Sequence, residues 1–132
     1  MSRESAVTGP PEGFVPGRHA IDAYGRGGFR FAGMSHRGSI LLLPSGVSAW
    51  PVASADEIGP AAFERVFAEA PAVEFLVLGT GSGFAVVPPA LRARFREAGI
   101  SLDVMQTGPA VRTYNVLLAE NRRVGAALIA VP

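Results

Sequence analysis

From Glu74 to Val131 the chain switches repeatedly between two hydrophobic periods, and this alternation limits its fold more than any other feature. Glu74–Leu78 is a short apolar run that ends in Gly79-Thr80-Gly81-Ser82-Gly83, as a buried strand entering a turn would. Pro88-Pro89 opens a helix over Pro89–Ala98, with Leu91, Phe95 and Ala98 on one face and Gly99 as its C-terminal cap. Ile100–Gln106 reads as a strand. Thr107 reads as the N-cap of a third helix, with Pro109 following and Val111, Tyr114 and Leu118 as its core stripe to about Asn121. Val124–Val131 is a last apolar strand. Strand, helix, strand, helix, strand predicts right-handed βαβ units and a largely parallel sheet.

The first half adds antiparallel strands. Ile21–Met34 predicts a hairpin that turns at Gly25-Arg26-Gly27-Gly28, with Phe29 and Phe31 on one face and Arg30 on the other. Ser35-His36-Arg37 reads as a turn, Gly38–Leu43 as a strand buried on both faces, and Val47–Val52 as a short strand. Pro60–Ala70 predicts a helix with Phe63, Val66, Phe67 and Ala70 on its apolar face, stopped by Pro71. The expected architecture is a single α/β domain over residues 19–132. It has a central mixed β-sheet with helices on both faces in three layers, built as an N-terminal β-hairpin followed by βαβαβ. Residues 1–18, punctuated by Gly and Pro, are expected to form a disordered arm. A length of 132 residues suits one such core.

Composition removes several classes of function. Hydrophobic residues are 48% of the chain and charged residues 17%, which excludes general disorder. A net charge of +1 supplies no bulk field for nucleic acid or an anionic membrane. The absence of Cys excludes disulfides, thiolate nucleophiles and Cys-ligated zinc. All 12 basic residues are Arg, which reads as genome composition, and the lack of Lys excludes a Schiff-base or P-loop lysine. Met1–Arg18 has no apolar signal-peptide segment, and no apolar run approaches the roughly 20 residues that span a bilayer. The expected location is the cytoplasm of a prokaryote.

No catalytic set, metal site or cofactor emerges from the remaining residues. Gly79–Gly83 could bring backbone N–H groups to a phosphate, but its spacing is Gly-x-Gly-x-Gly, Phe84 stands where the dinucleotide fingerprint needs its third Gly, and the helix begins only after the Pro pair. The preferred reading is a tight turn that requires positive φ. The same Phe84 removes the nucleophile-elbow pattern from Ser82. His19 and His36 have no clustered ligands and read as solvated loop residues. Arg92, Arg94 and Arg96 read as a solvated helix face beside Glu97. Asn115 is the anomaly: a poor helix former inside an apolar helix, best explained by an amide that bonds a neighbouring loop.

The second half also carries a resemblance. Leu78-Gly79-Thr80-Gly81, Gly99-Ile100, Asp103, Met105, Thr107, Ala110, Thr113-Tyr114-Asn115, Glu120, Arg122 and Ala126-Ala127-Leu128, with Trp50-Pro51 upstream, together resemble one family pattern over roughly Ile21–Val131. That family was long a domain of unknown function. It includes the mitochondrial complex I assembly factor 3 and an adipogenesis-associated protein. The resemblance implies a three-layer mixed-sheet fold and no established enzymatic activity.

It also implies a non-catalytic binding or assembly protein that assists assembly of respiratory complex I, with respiratory complex subunits or assembly factors as partners. Met1–Arg18 does not read as a mitochondrial presequence, so a bacterial protein is expected, and fold alone does not fix function. The alternative is a small-molecule-binding protein or enzyme with a pocket at the Gly79–Gly83 loop and the start of the third helix. The candidate binding residues are Gly79, Thr80, Gly81, Thr107, Arg112, Thr113, Asn115 and Glu120. A homo-oligomer stays open, because Val124–Val131 could be an edge strand pairing across a dimer or a strand at the sheet centre.

Overall fold

The computed structural model describes residues 14–132. Its main sheet has six strands: β1 (Val15–Pro16), β5 (Ile40–Leu43), β6 (Gly46–Ala49), β7 (Phe75–Gly79), β8 (Ser101–Met105) and β9 (Val124–Leu128), in the spatial order β1-β6-β5-β9-β7-β8. A second sheet is a meander of β2 (Ala23–Gly25), β3 (Gly28–Phe31) and β4 (Met34–Arg37). Three α-helices follow β6: α1 (Glu64–Ala68), α2 (Pro89–Glu97) and α3 (Thr107–Ala119). The expected mixed sheet with helices on both faces is what forms. β7 pairs in parallel with both β8 and β9, while β5 runs antiparallel to β9 and β6.

The position of each helix follows from the order of the strands. The β7–α2–β8 connection moves toward one edge of the sheet, and β8–α3–β9 moves back across β7 to its other side. Right-handed connections in opposite directions place their helices on opposite faces. α2 accordingly buries Leu91 and Phe95 on the face made by Leu41, Leu43, Leu76, Leu78 and Ala127. α3 buries Ala110, Val111 and Tyr114 on the other face, against Ile40, Leu42, Val77, Ala126 and Leu128. Neighbouring residues of β5, β7 and β9 thus enter different cores, which is why these strands read as continuous apolar runs.

Several sequence expectations are corrected. The hairpin does not join the main sheet. It extends through β4, so Ser35-His36-Arg37 is strand rather than turn, and the meander lays Phe29 and Phe31 beside α3 on the second core. Two tight turns set its register, Arg26-Gly27 and Ala32-Gly33, with φ of 53° and 79° and of 51° and 75°. Positive φ at both central residues is the type I′ pattern that matches strand twist. The helix expected over Pro60–Ala70 is a 3₁₀ turn (Pro60–Phe63), the short α1, and a second 3₁₀ turn (Ala70–Ala72) that contains Pro71. Of the arm expected over 1–18, residues 1–13 lie outside the described residues, whereas Val15–Pro16 pair with Gly46-Val47 and belong to the fold. β9 lies inside the sheet, between β5 and β7, so it has no edge to offer a second copy.

α2 ends as expected at Gly99 (φ 74°), where Ile100 N–H bonds to Phe95 O at 3.0 Å and Gly99 N–H to Arg96 O at 3.1 Å. α3 ends the same way on Asn121 (φ 62°), with Arg122 N–H on Leu117 O at 3.0 Å. Both are Schellman closures, which satisfy carbonyls that a helix end would leave unpaired.

Candidate functional site

The connections that leave β7 and β8 diverge to opposite faces, so the ends of these adjacent strands form a topological switch point, where open α/β sheets place ligands. Gly79, Thr80, Gly81 and Thr107 all converge there. Thr107 is the joint between them. It is fully buried and is the first residue of α3, not its cap; that position belongs to Gln106. Its hydroxyl donates to Ile129 O at 2.7 Å and accepts from Gly81 N–H at 2.9 Å. Thr107 N–H donates to Gly81 O at 2.9 Å, so the two residues clasp each other twice. Gly81 sits at φ 90°, the positive φ expected of this turn. Gly79 must lack a side chain, because a Cβ there would lie 2.9 Å from Thr107 Oγ1 and 3.0 Å from Leu128 Cδ2.

Polar groups of the chain tie the loop across the crevice. Thr80 N–H bonds to Met105 O at 2.9 Å, and Thr80 Oγ1 donates to Gly83 O at 2.6 Å. Gln106 Nε2 donates to Ser82 O at 2.8 Å. Two of the backbone donors that could meet a phosphate, Thr80 N–H and Gly81 N–H, are taken up by Met105 O and Thr107 Oγ1.

The other candidates lie apart from this joint. The Asn115 amide donates to Ile21 O at 2.8 Å and accepts from Ile21 N–H at 2.9 Å, which gives that residue the two bonds of a missing strand neighbour. Tyr114, one residue before it, donates to His19 O at 2.8 Å. Both side chains therefore fasten the segment leading into β2 onto α3. Thr113 Oγ1 contacts Met105 S at 3.5 Å. Arg112 and Glu120 are exposed. Arg122 lies 4.0 Å from Glu74 Oε1, with both side chains half exposed, and such a pair adds little stability.

Burial pushes the Tyr114 hydroxyl from its ordinary value of 10 up to about 12, slightly opposed by the positive charge of Arg18. A phenol that resists ionisation when folded holds a proton the unfolded chain has lost. Its contribution is complete below pH 10 and is lost as pH rises from 10 to 12. Stability should fall there by about 2–3 kcal/mol. Urea titrations at pH 9 and at about pH 11.5 would show the loss in wild type, and Tyr114→Phe should lack this component. An equal loss in both proteins would remove Tyr114 as its cause.

Two exposed features were not apparent from the sequence. Phe84 is 86% exposed and Val86 93%, on the segment between Gly83 and α2. Three arginines of the meander also converge on one cavity. Among the described residues, no group of His, Asp or Glu side chains could hold a metal ion, and no helix is long and apolar enough to cross a membrane.

Residues 21–129 match the model of a protein family of unknown function, DUF498/DUF598. The chain belongs to the DUF498/DUF598 family. Its relatives include an uncharacterised protein of Rhodobacter capsulatus, 39% identical over 123 residues that cover 93% of this chain and 94% of that protein. The NADH dehydrogenase [ubiquinone] 1 alpha subcomplex assembly factor 3 of Mus musculus is 36% identical over 112 residues, which cover 85% of this chain but only 60% of the mouse protein. Among solved structures of the family's fold, a Bartonella henselae protein described as an outer membrane protein superposes with a TM-score of 0.85 at 50% identity, covering 89% of this chain and 98% of that one. The DUF498/DUF598 family resemblance read from the second half of the sequence therefore holds across nearly the whole described domain.

Proposed function

We propose that this chain is a non-catalytic protein-binding module that assists the assembly of respiratory complex I, working from the cytoplasmic side of the membrane. The observation that carries this reading is the 36% identity with a named assembly factor across 85% of the chain. The geometry supports it in two ways. At the crevice where an α/β enzyme would hold a substrate, Thr80, Thr107 and Gln106 spend their side chains on bonds within the chain. Beside it, Phe84 and Val86 project into solvent from a short segment anchored at one end by the bond from Thr80 to Gly83 O and at the other by the buried Val87.

An exposed aromatic on a fixed loop is the usual form of an interface anchor, because little conformational freedom is lost when it docks. The partner surface is apolar and concave enough to accept both side chains, and belongs to a complex I subunit or a second assembly factor.

The test is affinity capture of the tagged chain from its native host while complex I is being built. Wild type should recover a respiratory or membrane-associated protein, and Phe84→Asp with Val86→Asp should reduce recovery by about tenfold or more, as expected for loss of an anchor. Recovery of no such protein by wild type would overturn the assembly role. Equal recovery by both would move the contact elsewhere on the surface.

A further inference from the structure

The β2-β3-β4 meander carries a concavity of about 500 Å³ whose lining includes neither Thr107 nor Phe84. Its floor is Gly25 and Gly28, which pair across β2 and β3. Its walls include Arg26, Arg30 and Arg37. Antiparallel pairing puts these residues together. Residues opposite each other share a face, as do residues two apart along a strand. Gly28 faces Arg37 and Arg30 faces Ser35, so Arg30 and Arg37 stand on the same face as the bare glycines, and Arg26 rises from the turn beside them.

The frame is fixed. Gly27 N–H donates to Val131 O at 2.7 Å, and Gly27 O accepts from Gly38 N–H at 2.6 Å, so the turn is tied to both neighbouring segments. Gly28 cannot be replaced: a Cβ there would lie 2.2 Å from the His36 carbonyl oxygen.

The charge is unbalanced. Among the described residues, none of the three arginines has a carboxylate within 4.0 Å, and the cavity lining contains no Asp or Glu. The chain as a whole carries only +1, so the positive field here is local. Guanidinium groups present planar paired donors that match the oxygens of phosphate and carboxylate. A volume near 500 Å³ suits a small organic molecule.

We propose that the meander is a binding site for a small organic oxyanion, phosphorylated or polycarboxylate, held by Arg30 and Arg37 across the glycine floor with Arg26 closing one end. This site stands independently of the assembly role.

The test is a titration of the ¹⁵N-labelled chain with pyrophosphate and, separately, with citrate, followed by backbone amide shifts. Saturable shifts confined to residues 23–38 are expected at or below about 10 mM ligand, weakening as salt rises. The probe that binds more tightly identifies the phosphate or the carboxylate class. Arg30→Ala with Arg37→Ala should weaken binding about tenfold or more, while Arg30→Lys with Arg37→Lys, which keeps the charge but loses the planar fork, should retain part of it.

The wild-type titration decides even if the alanine variant misfolds. Absence of saturable shifts with either probe, shifts centred on Arg92, Arg94 and Arg96 instead, or unchanged affinity in the alanine variant with its remaining spectrum intact would each overturn the site. Binding of a poly-glutamate peptide without binding of either small probe would overturn it as well.

Discussion

Replacing Thr107 by Val should cost the domain about 2–6 kcal/mol. The two side chains have nearly the same volume, so packing is preserved and the loss isolates the hydroxyl. That hydroxyl joins Gly81 N–H to Ile129 O inside a site with no solvent exposure. Without it a buried donor and a buried acceptor each lose a partner, and leaving such a group unpaired costs about 1–3 kcal/mol. Thr107→Ser keeps the hydroxyl and should recover most of the loss. Urea unfolding provides the measurement: the valine midpoint should fall with an unchanged slope. A loss below about 1 kcal/mol would mean that the joint finds other partners and is not what closes the switch point.

The second large effect is expected at Phe63, where Phe63→Ala should cost about 3–5 kcal/mol. Phe63 has no solvent exposure and sits between Trp50 and Phe95, at ring-centroid distances of 5.4 Å and 5.2 Å. The Phe95 contact is edge-to-face, at 76°, the arrangement that ring quadrupoles favour. Trp50 Nε1 donates to Ala62 O at 2.8 Å, next to Phe63, so the backbone around the resulting hole is held and cannot collapse to fill it. Small domains hold only about 5–15 kcal/mol in total, so either substitution removes a large share. Phe84→Ala is the internal control: the same chemical deletion at an exposed site should change stability by no more than about 0.5 kcal/mol. Thermal unfolding of the two alanine variants side by side would expose any failure of this contrast.

The sequence conveyed the βαβαβ half because Leu91, Phe95 and Val111 follow one period while Leu76, Val77 and Leu78 follow another, and Pro88, Gly99 and Pro109 mark the boundaries. Asn115 was legible as an anomaly, because an amide in an apolar helix must find partners; the Ile21 backbone supplies them. β4 was not legible. Ser35-His36-Arg37 is polar, and its pairing is decided by the Ala32-Gly33 turn, a weaker hairpin signal than Asn-Gly.

Thr107 looked like a cap because threonine before a Pro-containing first turn usually is one. Its actual acceptor, Ile129, is 22 residues away, and single-sequence patterns do not report such contacts. The clustering of Arg26, Arg30 and Arg37 likewise depends on cross-strand register. Nothing local distinguished Phe84 and Val86 from the buried apolar residues around them.

The central place of β9 makes it the seam of the main sheet. β5 and β7 are joined into one sheet only through Val124–Leu128, so without that strand paired the sheet is two pieces, β1-β6-β5 and β7-β8, each with an open interior edge. Such edges are the templates on which strands from other molecules add. Loss of pairing by this one small-residue strand would therefore expose two edges at once, where loss of an edge strand would expose one.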